Sequence, residues 1–69
     1  LFRRRSALLN RSVLINLVSG NALAGVCTYD GPRDLILRAA TVHEPGADPA
    51  PADGEIHVDR INVDFIQLL

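Results

Sequence analysis

The stretch SVLINLVSGNALAGVCTYDGPRDLILRAATVH, residues 12–43, reads as three strands separated by two turns, and that reading decides the fold. In Ser12–Leu17, Val13, Ile15 and Leu17 alternate with Leu14 and Asn16, the two-residue period of a strand with an apolar inner face. Ser19, Gly20 and Asn21 supply a turn. Residues 22–29 form a second strand with Gly25 in its interior, where a missing side chain permits a sharp bend or a close backbone approach. Gly31 and Pro32 end it. The third strand, Asp34–His43, is apolar on both sides. Leu35, Leu37 and Ala39 are expected to face one way and Ile36, Ala40 and Val42 the other, which predicts a central position in the sheet.

On the C-terminal side, EPGADPAPADG (residues 44–54) holds three prolines and two glycines without hydrophobic periodicity and reads as an exposed loop. A fourth strand is expected over residues 55–59, with Ile56 and Val58 opposite His57 and Asp59. A tight corner follows at Arg60–Asn62 and a fifth strand at Val63–Leu68. On the N-terminal side, residues 3–10 contain good helix formers, with Leu8 and Leu9 able to share a face, which predicts a short helix. The expected fold is therefore mainly β. It has a basic N-terminal arm or short helix over residues 1–11, then a five-stranded, strongly bent antiparallel barrel over residues 12–69.

Length and composition narrow the function. A chain of 69 residues and 7.5 kDa holds one small domain and no second catalytic lobe. Hydrophobic residues make up 48% and mean hydropathy is +0.16, which places the chain among core-forming sequences. Cys27 is the single cysteine and there are two histidines, so neither an internal disulfide nor a structural zinc site is expected. No cofactor is expected either. Without such staples, a domain this small gains stability by oligomerising or by docking on a larger partner. Ile66, Leu68 and Leu69 add more apolar surface than a barrel interior of this size holds, and they are assigned to a subunit interface.

Net charge is -1, and it is divided unevenly along the chain. Residues 1–11 carry Arg3, Arg4, Arg5 and Arg11 with no acid, giving +4; residues 12–69 carry three arginines against eight acids, giving -5. A basic arm of this kind holds nucleic acid, an anionic membrane surface or the acidic face of a neighbour, and the acidic body favours the neighbour. All seven basic residues are arginine, as a GC-rich coding sequence or a demand for planar bidentate contacts would produce. The absence of methionine points to a processed or trimmed chain. Asn10, Arg11 and Asn16 interrupt the early apolar run, and no stretch reaches the roughly 18 apolar residues of a membrane span. The expectation is a soluble protein, cytoplasmic when made, without a membrane partner.

With the strands placed, the chain resembles the Sm-like family, an SH3-like small β-barrel, over residues 3–69. VLINLVSGNALAGVCTYDGPRDLIL resembles the family's first signature, with Val13, Ile15, Leu17, Gly20, Gly25, Asp30 and Leu35 to Leu37 in the corresponding places. IHVDRINVDFIQLL is similar to the second signature in its spacing and in Asn62, Val63 and Ile66. The resemblance implies an N-terminal helix, a five-stranded bent barrel and assembly into rings. RNA-binding members carry an Asn after the Asp-containing turn and an Arg-Gly pair before the last strand. Here Asp34 stands in the first place, and Asp59 with Arg60 in the second. An ionised Asp only accepts hydrogen bonds and repels a phosphate backbone, so Asp34 and Asp59 disfavour a nucleic-acid partner.

The remaining chemistry-bearing residues read as structural. Tyr29 stacks on a base in the RNA reading, but with Phe2 and Phe65 as its only aromatic companions, packing is favoured. Arg33 and Arg38 sit close in sequence to acids, which favours surface ion pairs. His43 and His57 make at most two metal ligands. Cys27 has no His or basic residue near it in sequence and reads as a small buried apolar group. Ser6, Ser12 and Ser19 lack a base and an orienting acid, so no enzyme is expected. The expected function is a noncatalytic structural subunit, a homo-oligomer or part of a larger protein assembly. Its concrete version is a capsid or tail protein of a bacteriophage virion, with Arg3, Arg4, Arg5 and Arg11 gripping the partner. The alternative is an RNA-binding Sm-like ring with Tyr29, Arg33, Asp34 and Arg60 at the pocket.

Overall fold

The computed structural model describes residues 6–69. They form β1 (Ser12–Leu17), β2 (Ala22–Asp30), β3 (Asp34–His43), β4 (Ala50–Ala52) and β5 (Ile56–Asp59). A single 3-10 turn (Arg60–Asn62) then leads into β6 (Val63–Leu68). All six strands belong to one antiparallel sheet, in the order β4-β3-β2-β1-β6, with β5 also paired to β3.

Two expectations are corrected. The helix over residues 3–10 lies partly outside the described residues, and residues 6–10 are bends and turns rather than helix. Locally, the Ser6 hydroxyl accepts the Leu8 N–H (3.1 Å), a side-chain bond that competes with helix formation. Asn10 then takes a φ of 60°, a left-handed conformation that Asn tolerates, and turns the chain into β1. The five-stranded barrel is replaced by a six-stranded open sheet. The added strand, β4, lies inside the expected loop 44–54 and pairs Ala50–Ala52 with Ala40, Thr41 and Val42. Pro51 lacks an N–H, which suits it to this edge position. No ladder joins β5 to β6 among the described residues, so the sheet does not close.

The ladders are interrupted at the same level on β2, β3 and the edge beyond β3. On β3, Arg38 pairs with Val26 and Thr41 with Ala24, so Ala39 and Ala40 together oppose Gly25 alone. This is a β-bulge, and its first residue, Ala39, has a φ of 51°. A Cβ on Gly25 would stand 3.0 Å from the Arg38 carbonyl oxygen and 3.2 Å from the Ala40 Cα. Gly25 is therefore required by close backbone approach, as its position in the strand predicts. On the far edge of β3, Ala52 opposes Ala40 and Ile56 opposes Leu37, so β4 and β5 are two pieces of one edge run. The break between them, Asp53 to Glu55, contains Gly54 at a φ of 77°.

The bulge also inverts the parity of β3. Leu35, Leu37 and Ala40 are buried while Ala39 is exposed, the reverse of the strict alternation expected for the two alanines. The core consists of these three with Val13, Ile15, Leu23, Cys27 and Val58. Leu8, Leu17, Val42, Ala52, Ile56, Val63 and Ile66 pack around it, half-buried.

Candidate functional site

The curled sheet brings the turn between β2 and β3 beside the 3-10 turn. The Arg60 N–H donates to the Arg33 carbonyl (2.8 Å), and the Gly31 N–H donates to the Asp34 carbonyl (2.9 Å). At the opposite end of the 3-10 turn, the Val18 N–H donates to the Asn62 carbonyl (2.9 Å). Residues 60–62 therefore tie the β2–β3 turn to the β1–β2 turn.

Asp30 is the hub of this corner. One carboxylate oxygen accepts from the Ser6 hydroxyl (2.5 Å), and the other is ion-paired with the Arg60 guanidinium. Arg60 Nε also donates to the Gly31 carbonyl (2.7 Å). The Asp30 side chain is 15% exposed and the Arg60 side chain 37%, so the pair is more than a free surface contact and less than a buried one. Together these bonds pin the segment before β1, the end of β2 and the entry to β6. No local pattern in the sequence marks Ser6 for this role, because its partner lies 24 residues away.

Tyr29, Arg33, Asp34 and Arg60 do converge here, but their arrangement differs from a free base-binding pocket. The Tyr29 ring lies over Gly31, where a Cβ would stand 2.5 Å from the ring, so Tyr29 packs on the turn while remaining 45% exposed. Arg33 is exposed. Arg60 is engaged by Asp30 and Gly31. Asp34 and Asp59 stand directly opposite each other across β3 and β5, and like charges so placed repel. No pocket is formed among the described residues.

The other candidates separate. His43 opposes Ala22, whereas His57 opposes Ile36 on β3, so the two histidines are on the order of 20 Å apart along the strand path. Cys27 is buried and donates to the Tyr29 carbonyl (3.3 Å), and burial raises its thiol above the ordinary range. Arg3, Arg4 and Arg5 lie outside the described residues, while Arg11 is exposed at the start of β1.

Ile66 and Leu68 share the inner face with Ile15 and Val13, their partners in register. Ile66 is half-buried, Leu68 is 43% exposed and Leu69 is 68% exposed. Phe65, not singled out by the sequence as interface surface, sits on the opposite face of β6 beside Asn16 and is 53% exposed. Val18 and Ile61 add exposed apolar surface near the start of that strand.

No protein-family model and no curated protein matches the chain. Among solved structures, a chain in the crystal structure of the NatC complex bound to CoA is similar, with a TM-score of 0.77 and 18% identity. The match covers 96% of this chain and 84% of that one. It shows a shared small antiparallel β-sheet fold, present in that case within a multi-protein complex. In this chain, no helix of the described residues is long and apolar enough to cross a membrane.

Proposed function

We propose that this chain is a noncatalytic, Sm-like assembly subunit that binds further copies of itself, or other chains of a larger complex, through its unpaired sheet edges. The observation that carries the reading is the edge of β6, unpaired among the described residues, where Leu68 continues the apolar row of Ile66 yet is exposed, and Leu69 follows it, exposed as well. An edge of this kind presents unpaired backbone groups and apolar side chains together, which is the template for strand addition. β5 offers a second free edge, with Ile56 and Val58 in register with Leu37 and Leu35. The similar chain from the NatC complex supports the use of this fold inside an assembly.

The engagement of Arg60 by Asp30, and the opposition of Asp34 and Asp59, support assembly over RNA binding as the principal function. The virion version of the proposal rests only on the general resemblance of small β-barrels to components of tailed-phage particles. Sedimentation velocity of the intact chain tests the assembly reading directly. A discrete oligomer is expected, and Leu68→Asp should shift it toward monomer. A folded wild-type monomer at high concentration in the absence of partner chains would count against self-assembly. If the oligomer formed and bound single-stranded RNA with submicromolar, salt-sensitive affinity, the purely structural reading would fail.

A further inference from the structure

Two Asp-Gly pairs occur in the chain, Asp30-Gly31 and Asp53-Gly54, and the fold treats them in opposite ways. Aspartate before glycine is the pair most prone to cyclise. Glycine has no side chain to shield its backbone nitrogen, and its conformational freedom lets that nitrogen approach the carboxyl carbon. The structure assigns Asp53 as a site of spontaneous isoaspartate formation and restrains Asp30 from the same reaction.

Asp30 is held at both ends of the reaction. Its carboxylate oxygens are bonded to the Ser6 hydroxyl and the Arg60 guanidinium, and its side chain is 15% exposed. The Gly31 nitrogen, which would be the nucleophile, donates to the Asp34 carbonyl (2.9 Å), and the Tyr29 ring lies over Gly31. Asp53 and Gly54 have none of these restraints. Both are exposed in the break between β4 and β5. Among the described residues, neither the Asp53 carboxylate nor the Gly54 N–H has a hydrogen-bond partner. A Cβ on Gly54 would meet nothing within 4 Å, so the space around its backbone is open.

The reaction needs no partner but water. The Gly54 nitrogen loses its proton to solvent and bonds to Asp53 Cγ, and a carboxyl oxygen leaves as water, closing a five-membered succinimide. Water then opens the ring. Addition at the main-chain carbonyl carbon of Asp53 breaks its bond to the Gly54 nitrogen and leaves the chain running through Cγ; addition at Cγ restores aspartate. One water leaves and one enters, so the mass is unchanged and nothing is oxidised or reduced.

The position gives the product a structural consequence. Asp53, Gly54 and Glu55 span the gap between the Ala52–Ala40 and Ile56–Leu37 pairs. Isoaspartate inserts one extra carbon into that span, about 1.5 Å of chain. β5 is anchored by buried Val58, whereas β4 has three residues, one of them Pro51. The added length is therefore taken up by β4, which loses its register with Ala40, Thr41 and Val42.

Incubation of the intact chain in heavy-oxygen water at neutral pH tests the assignment, because each ring opening writes one labelled oxygen into the residue whichever product forms. Trypsin, cutting after arginine, places the two sites in separate peptides, residues 12–33 and 39–60. Electron-transfer fragmentation then distinguishes isoaspartate from aspartate. Label and isoaspartate should accumulate at Asp53 at least about fivefold faster than at Asp30, the factor by which one hydrogen bond of ordinary net strength lowers an open population. In guanidinium the two sites should react at similar rates. Asp53→Glu, which would need a six-membered ring, should remove the label from that position. Hydrogen exchange of the isoaspartate fraction should quicken over residues 40–42 and 50–52 and stay unchanged in β1. Equal rates at the two sites in the folded chain, or no label at Asp53 under conditions where the unfolded chain acquires it, would overturn the assignment. An isoaspartate fraction that exchanged like the parent over residues 50–52 would overturn the displacement of β4.

Discussion

Gly25→Ala isolates the bend that gives the sheet its shape. The substitution adds one methyl group, which would meet the Arg38 carbonyl oxygen at 3.0 Å, the Ala40 Cα at 3.2 Å and the Ala40 Cβ at 3.4 Å. Two of these neighbours are backbone atoms of a bulge whose first residue, Ala39, already stands at a φ of 51°, so β3 has little freedom to retreat. Overpacking of this kind costs about 1–3 kcal/mol. Against it stands the reduced entropy of the unfolded chain, which favours Ala over Gly by about 0.4–1 kcal/mol. The steric term wins, leaving a net loss of about 1–2 kcal/mol. For a domain of this size, that lowers Tm by about 4–16 °C, at 4–8 °C per kcal/mol.

Thermal unfolding followed by far-ultraviolet circular dichroism reads the effect, at fixed protein concentration because self-association would shift Tm. Ala39→Gly is the internal control. Gly relieves the left-handed strain, about 1–2 kcal/mol, but adds about 0.4–1 kcal/mol of unfolded-chain entropy, so Tm should hold or rise by a few degrees. An unchanged or higher Tm for Gly25→Ala would refute the close-approach argument. A large loss for Ala39→Gly would refute the assignment of strain to the bulge.

Other consequences are separable. Asp30→Ala removes the acceptor for Ser6 and Arg60 together, and should lower the urea midpoint by an amount equivalent to about 1 kcal/mol, discounted for the partial exposure of Arg60. Asp59→Asn removes one of two facing carboxylates and should raise stability by about 0.5 kcal/mol, a gain that shrinks at high salt. Cys27 should resist alkylation in the folded protein and react once the chain is unfolded in guanidinium. Because burial raises the thiol above its ordinary 9.0, the folded state holds the proton more tightly; stability should be intact below that value and fall as pH rises beyond it. A Cys27→Ala chain should lose that alkaline sensitivity.

How much of this was legible in the sequence depends on how local each signal is. The spans of β1 and β6 follow from apolar alternation, that of β3 from a run apolar on both sides, and all three from residues at their ends; the corner at residues 60–62 follows from the short gap between two apolar runs. Ala39 shows the limit. Alternation assumes an unbroken ladder, and a bulge shifts every later residue to the other face, so Ala40 rather than Ala39 entered the core. Gly25 carried the clue to that bulge, but a glycine on one strand does not say which residue opposite it is doubled. β4 was hidden for a related reason: Ala50, Pro51 and Ala52 have no strand period of their own, and they pair because the edge of β3 extends beside them. The candidate pocket was legible as a location. Its wiring was not, because the Ser6–Asp30–Arg60 bonds join residues far apart in sequence.

That wiring bears on what the corner can do. A guanidinium that grips a phosphate must exchange its present partners for it, and Arg60 would have to leave both the Asp30 carboxylate and the Gly31 carbonyl. Asp30 would then retain only the Ser6 hydroxyl, and the tie between the β2–β3 turn and the entry to β6 would loosen. The incoming phosphate would also face Asp34 and Asp59, whose charge opposes the attraction that dominates nucleic-acid affinity. The edge of β6 makes no comparable demand. Among the described residues its outward backbone groups face no strand of the sheet, so a strand from a neighbour adds hydrogen bonds and covers Leu68 without breaking a contact already described. The same residues that spoil the corner for an anion fix the path into that edge, which is why the physical case for this chain favours a protein partner.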